Sequence, residues 1–123
     1  MRAWFTLDRI EVDAQCAKPS ENGHMIALTF SVDTTPLLDP AHHWFITPQH
    51  FAIVGPDGVT DTNVATAAAY GCLDSNDHLP RSAYAPSSKY SGRIALDSRY
   101  ASGLITYRPG IMAPGWEWPF PST

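Results

Sequence analysis

The stretch His24-Met25-Ile26-Ala27-Leu28-Thr29-Phe30-Ser31-Val32 decides the fold class of this 123-residue chain. Large apolar side chains stand at every second position from Ile26 to Val32, with small or polar residues between them. Because successive side chains of a β-strand point to opposite faces, this alternation places all the large side chains on one face. The pattern therefore predicts a half-buried strand whose apolar face covers a core.

The same period recurs along the chain and predicts an all-β domain. Further strands are predicted at residues 4–12, 49–54, 89–97, 103–107 and 116–120. Gly-Pro-Asp-Gly at 55–58 predicts a hairpin turn, because proline presets φ and glycine tolerates a positive φ. Eleven prolines interrupt any long helical pattern. We therefore expect one antiparallel two-sheet β-sandwich over residues 1–123, with an up-and-down barrel as the alternative.

The remaining segments are read as connections. Residues 66–73 contain three alanines, which favour a helical turn, but the segment is short and ends in glycine. We interpret it as a strand or an irregular bridge that carries Cys72. Residues 33–47 are predicted to cross the surface, and residues 74–88 form a polar loop with two prolines.

Two cysteines, Cys16 and Cys72, lie far apart without metal-ligand spacing. This pattern favours one disulfide in an oxidising compartment, and the alternative is two free buried thiols in a cytosolic protein. The first residues lead directly into a strand-like segment and show no signal peptide. Since the cysteine pair indicates export, we expect a secreted or cell-surface protein whose export signal has been removed.

Charge and hydropathy exclude several classes of function. The formal net charge is -4, and the eight basic residues are scattered along the sequence. Without a basic stripe, binding to nucleic acid or to an anionic membrane surface is not expected. No apolar run reaches the length of a transmembrane segment. No cofactor motif is present, and no cofactor is predicted.

The chain shows no convincing catalytic or metal-binding motif. His42 and His43 could form a metal site with His24, His50 or Asp39, but adjacent strand residues face opposite sides, and zinc-type spacing is lacking. There is no Gly-x-Ser-x-Gly elbow, and most aspartates lie in turns or at strand ends. We predict a protein that is not an enzyme, with no catalytic and no metal-ligating residues.

Aromatic residues are the better functional lead. The candidate binding residues are His43, Trp44, Tyr84, Trp116 and Trp118. Trp116, Trp118 and Phe120 share one face of a predicted strand, which favours the core over an exposed row. His43 and Trp44 are expected to be exposed, because loops on a rigid scaffold often carry binding. Residues 33–47 and 74–88 are the predicted contact surfaces for an unknown protein or cell-envelope component. The alternatives are a glycan- or small-ligand-binding domain and, last, an enzyme.

A family resemblance covers most of the chain, from about Trp4 to Phe120. Its motifs are Asn22-Gly23-His24, Ala27–Val32, Phe51–Gly58, Ala69–Leu73, Pro86, Lys89–Gly92, Ile94–Asp97, Ser102–Leu104 and Gly115–Trp118. Together they resemble the telokin-like, immunoglobulin-fold domain of unknown function in actinobacterial secreted proteins and lipoproteins. A small secreted immunogenic protein of mycobacteria is more distantly similar.

This resemblance implies an immunoglobulin-like sandwich, export, a disulfide between Cys16 and Cys72, and no established catalytic activity. The lipobox cysteine of such proteins is missing here, so a lipid anchor would belong to the full-length precursor.

Overall fold

The chain folds into two antiparallel sheets packed face to face. A computed structural model describes residues 3–39, 41, 43–109 and 115–121. Its strands are β1 (Ala3–Val12), β2 (His24–Thr34), β3 (Phe51–Val54), β4 (Thr60–Asp61), β5 (Lys89–Ser98), β6 (Gly103–Tyr107) and β7 (Trp116–Phe120). Sheet A has the order β1-β2-β5, and sheet B the order β4-β3-β6-β7. This distribution of strands is that of an immunoglobulin-like sandwich, so the fold prediction is confirmed.

The core lies between the inner faces of the two sheets. In β2 the alternation acts as predicted, since Ile26, Leu28 and Phe30 are fully buried. From sheet B, Ile53 and Ile105 face them and are equally buried. Burial of a large apolar side chain contributes about 1.5–3 kcal/mol relative to exposure, so these residues dominate the stability of the fold.

The predicted hairpin at residues 55–58 is confirmed. Gly58 N donates to Gly55 O at 2.9 Å, and Gly55 N donates to Val59 O at 2.9 Å. Gly58 has φ +83°, a left-handed value at which glycine carries no steric penalty. The Asp57 carboxylate accepts from Val59 N at 3.0 Å, which is the local bond expected of aspartate in a turn.

Residues 66–73 form a helical turn, which corrects the prediction of a strand or irregular bridge. Helix α1 (Ala67–Tyr70) begins at Thr66, whose hydroxyl accepts from Ala69 N at 3.2 Å. The small alanines allow α1 to lie flat on the outer face of sheet A, where Ala69 and Met25 are both buried. The favourable cap and the alanines therefore outweigh the shortness of the segment.

The sandwich has two distinct ends. The disulfide end carries the Cys16–Cys72 bridge, which is confirmed and joins the β1–β2 connection to the segment after α1. The aromatic end is formed where β2 and β6 finish and where β3, β5 and β7 begin. There Phe5 lies 5.5 Å from Tyr107 and 4.8 Å from Trp116 between ring centroids.

Each sheet edge in the described part of the chain is blunted. Strand β1 shifts register between Leu7 and Arg9, which leaves Asp8 as a β-bulge. Residues 77–79 cover part of β5, since Arg93 N donates to Asp77 O at 2.7 Å and Arg93 O accepts from Leu79 N at 3.0 Å. In sheet B, β4 has only two residues and β7 contains Pro119. These are the devices by which natural sheets avoid edge-to-edge pairing.

Candidate binding surface at the aromatic end

Connections 35–50 and 80–88 meet at the aromatic end and are hydrogen-bonded to each other. Tyr84 N donates to Trp44 O at 2.9 Å, and Ser87 N donates to Thr35 O at 3.2 Å. The Tyr84 hydroxyl accepts from Ile46 N at 3.3 Å. The β6–β7 connection starts and finishes at the same end, although residues 110–114 lie outside the described part of the chain. The two segments predicted as contact surfaces, 33–47 and 74–88, are thus adjacent in space.

Trp44 is half-buried, which corrects the prediction that it is exposed. Its indole nitrogen donates to the Tyr107 hydroxyl at 3.1 Å, and its ring packs edge-on against Tyr84 at 5.1 Å. The segment around Trp44 returns into the sandwich before β3, since Ile46 is buried in the core. His43 is exposed as predicted and has φ +52°, a left-handed conformation that is uncommon for residues other than glycine.

Tyr84 is a core residue and offers no surface for binding. Only 1% of it is exposed, and its ring stacks on Tyr90 at 4.6 Å. Burial raises the pKa of the Tyr84 hydroxyl to about 12, although the bond from Ile46 N opposes the shift. The hydroxyl therefore stays protonated and fixes the loop backbone. The prediction of Tyr84 as a contact residue is corrected, because its ring packs into the core although the loop that carries it is polar.

The predicted aromatic face of β7 points between the sheets. Phe120 is buried, and Trp118 lies 5.9 Å from the Phe30 ring. Trp116, at the start of the strand, keeps 36% of its surface exposed while contacting Phe5. The strand therefore runs from the core to the rim of the aromatic end. Trp118 stabilises the sandwich, and Trp116 remains available for contact.

Exposed apolar surface is concentrated near this end. Among the described residues, the exposed large hydrophobic side chains are Trp4, Leu37, Val59 and Trp116. Leu37 is 68% exposed in the 35–50 connection, and Trp4 is 58% exposed at the start of β1. Only Val59 lies at the disulfide end, in the β3–β4 hairpin. We take the exposed residues Leu37, His43 and Trp116 at this end as the candidate surface and call them the loop surface.

Asp97 has a carboxylate that accepts four hydrogen bonds, and the sequence pattern did not indicate this role. It is fully buried at the disulfide end and accepts from Ser20 Oγ, Thr66 Oγ1 (2.7 Å), Glu21 N (2.9 Å) and Asn22 N (3.1 Å). Burial alone would raise the pKa of this carboxyl. The four hydrogen bonds outweigh burial and hold the pKa below its ordinary value. With its acceptor positions filled, Asp97 has a structural role.

His24 and His50, which were considered as partners in a metal site and rejected, lie at opposite ends of the sandwich. His24 lies at the disulfide end, where its Nδ1 is 2.7 Å from Asp13 Oδ1. His50 precedes β3 at the other end, and His42 lies outside the described residues. No group of three potential ligands occurs among the residues that the structure describes. Burial lowers the pKa of His78, whose Nδ1 bonds Leu79 O at 2.7 Å.

Comparison with protein-family models, with curated proteins and with solved structures gave no match. None of the helices in the described part of the chain has the length and apolar character needed to cross a membrane.

Proposed function

We propose that the chain is an exported, non-enzymatic binding module whose loop surface contacts a protein or cell-envelope component. The observation that carries this proposal is that the 35–50 and 80–88 connections are hydrogen-bonded to each other at the end of the sandwich where β6 finishes and β7 begins. Binding residues in proteins concentrate on loops that a rigid scaffold positions. Hydrogen bonds between the two connections reduce the entropy that binding would otherwise lose.

Export is supported by the disulfide between Cys16 and Cys72, because disulfides persist mainly in oxidising compartments. A binding role is also supported by the loop surface itself. Leu37 and Trp116 expose apolar area at the same end of the sandwich, and exposed apolar side chains are typical of the centre of an interface. The relation to the actinobacterial domain named above stays a prediction.

Binding of a glycan or small ligand at this end has less support. The aromatic rings that would form a stacking row there are used for packing, since Tyr84 is buried and Trp118 is half-buried. Trp116 and His43 alone offer a narrow surface. A protein partner, which can follow the uneven outline of several loops, fits the geometry better.

The test is affinity capture with the oxidised domain as bait and with envelope and secreted proteins of the source organism as prey. The loop-surface variant carries Leu37→Lys and His43→Glu, both at exposed positions. The matched control is Val59→Lys, an exposed apolar position at the opposite end. Circular dichroism and thermal melting verify that all three proteins are folded.

A captured protein is identified by mass spectrometry, purified and measured against each bait. We expect wild type and Val59→Lys to bind equally and the loop-surface variant to bind at least about tenfold more weakly, since hot-spot changes cost more than 1 kcal/mol. Equal binding by all three baits, or no captured partner in either fraction, would contradict the proposal.

A further inference from the structure

The outer face of sheet A carries an ordered set of side chains close to the aromatic end. Trp4, Asp33 and Lys89 are direct cross-strand neighbours on β1, β2 and β5. Thr6, Ser31 and Ser91 form the next row in the same register. All six residues are exposed, and they line a depression of about 420 Å³. We call this surface the Trp4 platform.

Trp4 is the unusual member of the platform. Its neighbour Phe5 points into the aromatic cluster, whereas Trp4 lies on the opposite face with 58% of its surface exposed. Exposed single hydrophobic residues are common, but this indole borders a depression whose other walls combine Val32 and Tyr90 with five polar residues of the three strands. An indole provides a broad apolar face for stacking together with an N–H donor.

The polar groups of the platform suit a neutral ligand. Lys89 Nζ lies 3.8 Å from Asp33 Oδ2, so the two charges cancel within the site. Thr6, Ser31 and Ser91 are cross-strand neighbours on three adjacent strands, whose backbones lie about 4.8 Å apart. Ser31 also donates to the Asp8 carboxylate, which orients its hydroxyl. Ser31 can therefore accept from a ligand, while Thr6 and Ser91 can each donate and accept, so the row matches a ligand whose own groups do both.

We propose that the Trp4 platform binds a neutral saccharide, with a pyranose ring stacked on the Trp4 indole. The apolar C–H face of the sugar covers the ring, and the sugar hydroxyls bond Asp33, Lys89 and the hydroxyl row. An anionic ligand is disfavoured because Asp33 offsets the charge of Lys89 and the Asp8 carboxylate lies beside the hydroxyl row. The platform lies on a sheet face and shares no residue with the loop surface. Saccharide binding here and partner binding at the loop surface can therefore be refuted independently.

The experiment is a ¹H–¹⁵N NMR titration of the oxidised domain with cellotetraose, chitotetraose, mannotetraose and maltotetraose. We expect at least one of them to shift the Trp4 indole signal and the amides of Thr6 and Ser31, with Kd on the order of 1 mM for so open a site. Trp4→Ala should weaken binding at least about tenfold. Trp4→Tyr, which keeps an aromatic face, should retain most of it.

Val59→Ala is the control, because Val59 is also an exposed apolar residue but lies at the disulfide end, outside the platform. It should leave the saccharide Kd unchanged. Trp4→Ala removes an exposed side chain, and its melting curve verifies the fold. The proposal is overturned if none of the four saccharides, at a concentration of about ten times the expected Kd, shifts the platform signals. Unchanged binding by Trp4→Ala, or shifts confined to Leu37 and Trp116, would overturn it equally.

Discussion

Replacing Asp97 by asparagine should destabilise the domain strongly, although the side chain keeps its shape. The carboxylate at the disulfide end receives two donors on each oxygen. Ser20 Oγ and Asn22 N share Oδ1, while Thr66 Oγ1 and Glu21 N share Oδ2. Asparagine presents an oxygen on one side and an N–H₂ group on the other. Whichever way the amide lies, its N–H₂ group faces one hydroxyl and one backbone N–H.

The size of the stability loss depends on whether each donor that faces the new N–H₂ group can also accept a hydrogen bond. A hydroxyl can rotate and accept from the new amide, so that contact is kept as a weaker bond. The backbone N–H of Glu21 or Asn22 cannot accept, and it is left facing another donor. An unsatisfied buried donor costs about 1–3 kcal/mol, and the bonds that remain lose the gain from a charged acceptor. We expect Asp97→Asn to lower the free energy of unfolding by about 3 kcal/mol.

The assay is urea unfolding at pH 7, followed by circular dichroism, together with thermal melting. A loss of about 3 kcal/mol corresponds to a fall in Tm of roughly 10 °C for a domain of this size. The control is Asp57→Asn in the exposed hairpin, where a single oxygen accepts from Val59 N. That change should stay within about 0.5 kcal/mol of wild type. A loss below about 1 kcal/mol for Asp97→Asn would refute the four-donor argument.

The stabilities of wild type and Asp97→Asn can also be compared as a function of pH, and the direction of the expected change follows from the pKa of Asp97. The pKa of Asp97 is lower in the folded state than its ordinary value of 3.8. Its stabilising contribution is therefore complete above pH 3.8 and is lost as the pH falls through the folded pKa, because the unfolded chain takes up the proton first. The stability difference between wild type and Asp97→Asn should narrow below pH 3.8. A constant difference would mean that the carboxylate charge is unimportant.

Two further changes probe the bridge and the covered edge. Reduction of Cys16–Cys72, which are 56 positions apart, should lower the free energy of unfolding by about 4 kcal/mol in urea titrations with and without reductant. An unchanged midpoint would contradict this value. Gly92→Ala would place a Cβ 2.8 Å from Leu79 N, so we expect a loss of about 1–3 kcal/mol and faster hydrogen exchange at Leu79 and Arg93. Unaltered exchange at both amides would show that the pairing of residues 77–79 with β5 does not depend on the close approach of Leu79 to Gly92.

The sequence allowed the strands and their inner faces to be predicted, because alternation reports directly which side chains share a face. Strand β6 matches residue for residue, and β2 extends only two residues further, to Thr34. Alternation does not report what covers the other face. Met25 and Ala95 are buried on the outer side of sheet A because α1 and the disulfide segment fold over them. That covering depends on tertiary packing, which no local pattern contains.

The loop residues also show that local sequence does not determine which side chains are buried. Trp44 and Tyr84 were placed on the surface because they lie in Pro-rich, polar segments. In the structure both rings pack inward at the aromatic end, while neighbours such as His43 and Ser82 stay exposed. A tryptophan or tyrosine in a loop gains more from burial than the local composition suggests. His43, with a short polar-tipped ring and a left-handed backbone, was predicted correctly as exposed.

The blunted sheet edges have a consequence for how this protein can be stored and handled. Strand-by-strand growth of an aggregate needs a long, regular edge with free backbone groups. The bulge at Asp8, the loop over Arg93, the brevity of β4 and Pro119 in β7 leave the described residues without such a template. Concentrated solutions of the oxidised domain should therefore remain clear and free of fibrils during long incubation, as long as the sandwich itself stays folded.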